Sequence, residues 1–100
     1  MRKNNNKSRN MDLYKAILTL ETVEECKAFF DDLCSITELL AMEQRFEVAR
    51  LLYNDMIYND IMQRTGASSA IISRVNRSLL YGAGGYSVVF DRAKEAKDTD

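Results

Sequence analysis

Residues 56–82, MIYNDIMQRTGASSAIISRVNRSLLYG, constrain the fold most, because they have the pattern of two short helices joined at one glycine. Gly66 stands where the first helix must stop, and a residue that ends a helix in the left-handed conformation is most easily a glycine. Ser68 and Ser69 follow it and offer hydroxyl groups to the free N–H groups of a second helix. The spacing therefore predicts a helix-turn-helix over about residues 57–80.

The second of these helices is amphipathic. Its apolar residues recur at offsets of three and four, so they share one side with an apolar residue of the first helix and should face inward: Ile61, Ile72, Val75 and Leu79. The opposite side carries short residues and arginines: Ser69, Ala70, Ser73, Arg74 and Arg77. Such a helix suits the DNA major groove, since short side chains permit close approach and arginines reach phosphates or guanine edges. A purely structural interpretation stays open, because similar corners and solvated serine–arginine surfaces occur in other all-α proteins.

The rest of the chain also favours helices. It contains no proline, and of its four glycines all but Gly66 fall within residues 82–85, which we interpret as a hinge. Capping boxes at Thr22–Glu25 and Ser35–Glu38 predict the start of two helices. Together with the helix-turn-helix, apolar periodicity predicts six helices and no strand. The four helices outside the motif are expected over residues 11–20, 23–33, 36–53 and 86–96.

Charge is unevenly distributed, although the net charge is only −1. We expect residues 1–10 to form a disordered basic arm that contacts DNA, followed by one helical domain over residues 11–96 and a charged tail over residues 97–100. The cations of the arm are Arg2, Lys3, Lys7 and Arg9. Acids outnumber bases between Asp12 and Glu47, as on the far side of a DNA-binding protein. The arm could equally be a solubilising tail.

The chain shows no residue arrangement that is typical of catalysis or metal binding. It has no histidine, which removes the commonest general base. The carboxylate pairs Glu24–Glu25 and Asp31–Asp32 diverge by about 100° on a helix, so neither pair converges on a substrate. Cys26 and Cys34 would fill only half of a zinc site, and we expect both to be small, reduced core residues. No membrane-spanning run or signal peptide is visible.

Two segments, TVEECKAFFDDLCSITELLAMEQRFEVARLL and TGASSAIISRVNRSLLYG, resemble the Trp-repressor superfamily, and most closely its YerC/YecD branch of Trp-repressor-related proteins. The similarity runs from about Leu13 to Phe90. It implies a six-helix, all-α fold in an intertwined homodimer, with a helix-turn-helix that projects toward double-stranded DNA. The residues expected at the groove are Ser69, Ala70, Ile71 and Ser73, with Tyr58 and Asn59 from the first helix of the motif.

The resemblance also implies a ligand pocket. In Trp repressor the tryptophan lies between two arginines, and the matching positions are Arg45 and Arg74, with Ser35 and Ser78 also at matching positions. The glycine that follows the second arginine in Trp repressor is Val75 here, and its β-branched side chain should fill the slot of the indole. The pocket is therefore expected to be vestigial and unresponsive to tryptophan, and any other effector stays open.

These observations predict a homodimeric, sequence-specific DNA-binding regulator of transcription, a repressor, located in the bacterial cytoplasm with the nucleoid. We expect no enzymatic activity and no cofactor, metal or membrane partner. An alternative is a dimeric protein-interaction module whose helix-turn-helix no longer binds DNA. Asn59 and Met62 replace residues that are basic in Trp repressor, and together with Ile71 they favour this alternative.

Overall fold

The computed structural model describes residues 9–98, with side chains up to residue 96. Its helices are α1 (Asp12–Ile17), α2 (Val23–Leu33), α3 (Ile36–Tyr53), α4 (Tyr58–Thr65), α5 (Ser69–Tyr81) and α6 (Gly85–Asp98). The described part of the chain contains no strand, so the predicted six-helix, all-α class is confirmed. The described chain divides into two compact units with the boundary between Leu39 and Leu40, inside α3.

Helices of the first unit begin at side-chain caps. The Thr22 hydroxyl accepts a hydrogen bond from the Glu25 N–H at 3.0 Å, and the Glu25 carboxylate accepts one from the Glu21 N–H at 2.9 Å. This is a modified form of the predicted capping box. At α3 the box is reciprocal, because the Glu38 N–H donates to the Ser35 hydroxyl at 3.2 Å and the Ser35 N–H donates to the Glu38 carboxylate at 2.8 Å. These interactions with Ser35 lower the pKa of Glu38 from 4.5, the backbone N–H contributing most.

The first helix is shorter than the predicted helix over residues 11–20. Helical structure ends at Ile17, and the Thr19 hydroxyl donates a hydrogen bond to the Ala16 carbonyl at 2.6 Å. The N–H groups of Thr19 and Leu20 donate to the carbonyls three residues earlier, at 3.0 and 3.1 Å, so the α-helical pattern gives way to a tighter turn. Leu18 is left 85% exposed.

Neither α1 nor α2 contains a buried residue. Cys26 on α2 is exposed and Cys34 at its end is half-buried. The prediction that Cys26 is a core residue is therefore wrong for the single chain, because α2 buries none of its residues there.

The second unit contains the hydrophobic core. Its buried residues come from α3, α4, the turn after α4, α5 and α6: Val48, Ala49, Leu51, Ile61, Ala67, Ile72, Val75 and Phe90. The predicted inward stripe is confirmed for Ile61, Ile72 and Val75, while Leu79 is half-buried. Apolar packing thus holds α4 and α5 on the second half of α3.

An aromatic cluster positions α6 in this unit. The ring of Phe90 lies 5.2 to 5.9 Å from the rings of Phe46, Tyr53 and Tyr86, measured between centroids. The Tyr53 hydroxyl also donates a hydrogen bond to the Asp91 carboxylate, which raises the pKa of Tyr53. Because the ring packing and the Tyr53–Asp91 hydrogen bond both join α3 to α6, α6 is fixed alongside α3.

The last helix is longer than predicted at both ends. It starts at Gly85, so the predicted hinge is reduced to residues 82–84, and it continues to Asp98, two residues into the predicted tail. Residues 1–8 and 99–100 lie outside the described part of the chain. Between residues 9 and 98, no helix has both the length and the apolar character needed to cross a bilayer.

Candidate nucleic-acid interface

The two helices of the predicted motif meet at Gly66, which has φ +74° and ψ 3°. The Gly66 N–H donates to the Met62 carbonyl at 2.9 Å, which closes the last turn of α4. Ala67 follows as a 3% exposed core residue, and the Ser68 hydroxyl caps α5 by accepting the Ile71 N–H at 3.2 Å. The predicted helix-turn-helix, with its left-handed glycine and its serine cap, is confirmed.

The side of α5 that faces away from the core is exposed. It consists of short residues and two arginines: Ser69, Ala70, Ser73, Arg74 and Arg77. The ion pairs among the described residues are Lys27–Asp31 and Arg50–Glu47, so both α5 arginines are free of carboxylate partners there. Tyr58 and Asn59, at the start of α4, are exposed as well. This surface offers two exposed guanidinium groups to an anionic partner.

Of the predicted basic arm, only Arg9 is described by the structure; Arg2, Lys3 and Lys7 lie outside it. The Arg9 guanidinium lies over the ring of Tyr14, 5.5 Å from its centroid, and donates a hydrogen bond to the Tyr14 hydroxyl. Such a cation–π contact is favourable even at an exposed site. Arg9 is therefore held against α1 within the first unit.

A cavity of about 420 Å³ opens beside α5. It is lined by α3, α5 and α6 through Ala41, Gln44, Arg45, Ile71, Arg74, Val75, Ser78 and Tyr86. Of the five residues that the resemblance assigned to a vestigial pocket, four lie together here: Arg45, Arg74, Val75 and Ser78. Ser35 belongs to the first unit, where its hydroxyl caps α3. Val75 is only 3% exposed, so its side chain belongs both to the cavity wall and to the core.

Of the other four residues of the cavity wall, Ile71 was predicted for the DNA groove and the remaining three were not predicted for any site. Ala41 precedes Gln44 by three residues and Arg45 by four, so helical periodicity could have identified Ala41 as a neighbour of Arg45. Gln44 also donates a hydrogen bond to the Thr65 carbonyl at 3.2 Å, across 21 residues. Tyr86 is brought in by α6, where its ring stacks on Phe90. No local pattern indicates either of these long-range contacts.

Comparisons with known proteins agree with this geometry. A family model described as Trp repressor protein matches residues 9–94. The chain is 49% identical over 85 residues to the uncharacterized protein YerC of Bacillus subtilis, covering 85% of this chain and 82% of that protein. A TrpR-like protein from Eubacterium eligens has a crystal structure that matches with a TM-score of 0.83 at 49% identity, covering 90% of this chain and 96% of that one.

A candidate Trp repressor from Staphylococcus aureus also matches with a TM-score of 0.83, at 43% identity, over 93% of this chain and 96% of that one. The two structural matches thus cover 90% and 93% of this chain. The helix order, the glycine corner and the sequence identity lead to one conclusion: the chain belongs to the Trp repressor family, in the branch that includes YerC.

Proposed function

We propose that this protein is a sequence-specific DNA-binding regulator of transcription that acts as a homodimeric repressor. The observation that carries the proposal is the exposed side of α5, which presents short residues and two unpaired arginines next to the Gly66 corner. The membership of the chain in a family of transcription regulators also supports the proposal. Arg74 and Arg77 bind phosphates or guanine edges, and the shorter residues approach the bases: Ser69, Ala70, Ile71 and Ser73.

The homodimer is supported by the apolar surface of the first unit. Leu18, Val23 and Leu33 are each more than half exposed, and neither α1 nor α2 buries a residue. Burial of apolar surface contributes about 25 cal/mol per Å², so a second copy that covers these helices would stabilise the dimer. In the dimer, residues 11–96 form one helical domain per subunit. A twofold axis then sets the two copies of α5 about 34 Å apart, at successive major grooves of a near-palindromic site.

Selection of bound sequences from random duplex DNA at moderate salt tests this function. We expect an enriched palindromic motif, and an affinity that falls by orders of magnitude as salt is added, because protein cations release counterions from DNA. Sedimentation of the free protein should give the mass of two chains. A pool without enrichment, or a single-chain mass at micromolar concentration, would contradict the proposal.

We infer that the basic arm adds phosphate contacts through Arg2, Lys3 and Lys7. Removal of residues 1–8 should weaken binding to all sequences alike and lower the slope of log affinity against log salt by about 0.9 for each lost contact. The truncation keeps Arg9, because its contact with Tyr14 belongs to the first unit. An unchanged slope would identify the arm as a solubilising tail.

The cavity supports the further proposal that the repressor does not respond to tryptophan. Val75 stands where Trp repressor has a glycine, and it lines the cavity beside Arg45 and Arg74 while remaining 3% exposed. A β-branched side chain at this position takes up space that a glycine would leave free for an indole ring. Calorimetric titration of the wild type with tryptophan should show no binding, whereas Val75→Gly should bind. Val75→Ala keeps a Cβ atom and should gain less. Micromolar binding by the wild type would refute this proposal.

A second candidate function is supported by apolar exposure on the same motif. Met62 is 37% exposed and Ile71 is 36% exposed, and neither side chain suits a phosphate. A dimeric protein-interaction module could use these residues, with the exposed Asn59, to bind another protein. Salt distinguishes the two functions, since apolar contacts do not weaken when salt is added whereas DNA binding does.

A further inference from the structure

We propose that Gln44 is a positioning residue, which fixes the helix-turn-helix against α3 and thereby sets where α5 meets DNA. The inference rests on the proposed DNA-binding function. Gln44 is half-buried on α3. Its Nε2 atom donates a hydrogen bond at 3.2 Å to the carbonyl of Thr65, which is the last residue of α4. Within residues 9–98, this is the side-chain hydrogen bond that joins α3 to the motif.

The corner of the motif satisfies its neighbouring polar groups internally. The Thr65 hydroxyl donates to the Ile61 carbonyl at 2.7 Å and accepts the Ala67 N–H at 3.1 Å. The Thr65 carbonyl belongs to the last turn of α4, where a helix leaves carbonyls without an internal partner. Its donor comes from outside the motif, from Gln44. The Gln44 side chain therefore connects α3 to the turn that determines the direction of α5.

Apolar packing alone leaves this orientation less well defined. Val48 and Ala49 of α3 share one core with Ile61 and Ile72 of the motif, and the hydrophobic effect that drives their burial is non-directional. A hydrogen bond depends on distance and angle, so the bond from Gln44 favours one orientation among those that the core permits. In the proposed dimer, that orientation decides the separation of the two reading helices and hence the spacing of the half-sites.

The test compares palindromic sites of the selected sequence with sites that have one base pair inserted or removed at the centre. Gln44→Met removes the donor and keeps the length of the side chain. We expect the wild type to bind the natural spacing more tightly than the altered spacings. In Gln44→Met, the ratio of these affinities should fall by about threefold to tenfold, the range that one hydrogen bond supplies. Affinity for random duplex DNA should stay the same, because phosphate contacts are unaffected. A loss of stability alone would not change a ratio measured on folded dimer.

Two further variants control the experiment. Gln63→Met makes the same change on the exposed side of α4 and should retain wild-type discrimination. Gln44→Lys restores a donor that can reach the Thr65 carbonyl, so it should recover discrimination, while its added charge raises affinity for all sites alike. Wild-type discrimination by Gln44→Met, or no recovery by Gln44→Lys, would overturn the role of Gln44. A wild type without any palindromic preference would instead overturn the proposed function.

Discussion

Replacement of Gly66 by alanine tests the left-handed corner on which the helix-turn-helix depends. With φ at +74°, a residue that carries a Cβ atom pays roughly 1–2 kcal/mol of backbone strain. Alanine also lowers the conformational entropy of the unfolded chain, and this offsets roughly 0.4–1 kcal/mol of that cost. The new Cβ would meet no heavy atom within 4 Å, so no steric term is added. We therefore expect Gly66→Ala to lower the free energy of unfolding by about 1 kcal/mol.

Urea unfolding followed by circular dichroism measures this loss, at one fixed protein concentration because the stability of a dimer depends on it. Gly85→Ala is the matched control. A Cβ at Gly85 also meets nothing within 4 Å, but Gly85 begins α6 without a positive φ. Alanine there should leave stability unchanged or raise it by up to about 1 kcal/mol. Gly66→Asn should recover part of the loss, since asparagine tolerates the left-handed region better than alanine.

Two results would refute the reasoning. Equal effects of Gly66→Ala and Gly85→Ala would show that the backbone conformation at Gly66 is not what ends α4. A loss above about 3 kcal/mol would exceed backbone strain and indicate a steric clash, which the open space around this Cβ position excludes.

Three other perturbations have defined outcomes. Arg77→Ala should lower the slope of log affinity against log salt by about 0.9, whereas Arg92→Ala on α6 should leave the slope unchanged. Gly82→Ala would place a Cβ 2.4 Å from a backbone carbonyl oxygen of α5, so urea unfolding should show a loss of about 1–3 kcal/mol; an unchanged midpoint would contradict this contact. The cap of α3 lowers the pKa of Glu38 from 4.5. The ionised Glu38 carboxylate therefore stabilises the folded protein above pH 4.5, and this stabilisation is lost as the pH falls through the lower pKa of the folded state. Glu38→Gln should remove this part of the acid dependence of unfolding, and an unaltered pH profile would count against the cap.

The amino-acid sequence by itself determined the local features of this protein. The reciprocal cap between Ser35 and Glu38, the left-handed corner at Gly66 and the serine cap at Ser68 all follow from groups within four residues of one another. Helical periodicity likewise identified the buried and exposed sides of α5. Interactions at such short range depend on residue type and spacing, both of which are readable in the sequence.

Only the tertiary structure decided which distant residues meet. The hydrogen bond from Gln44 to Thr65 spans 21 residues, and Tyr86 reaches the cavity because the aromatic cluster around Phe90 packs α6 alongside α3. Cys26 lies in an apolar segment yet is exposed. The apolar residues of α3 are spread around that helix, so periodicity does not indicate which neighbour each side contacts. These contacts depend on how helices pack against one another, and burial depends on which surfaces are covered, neither of which local spacing encodes.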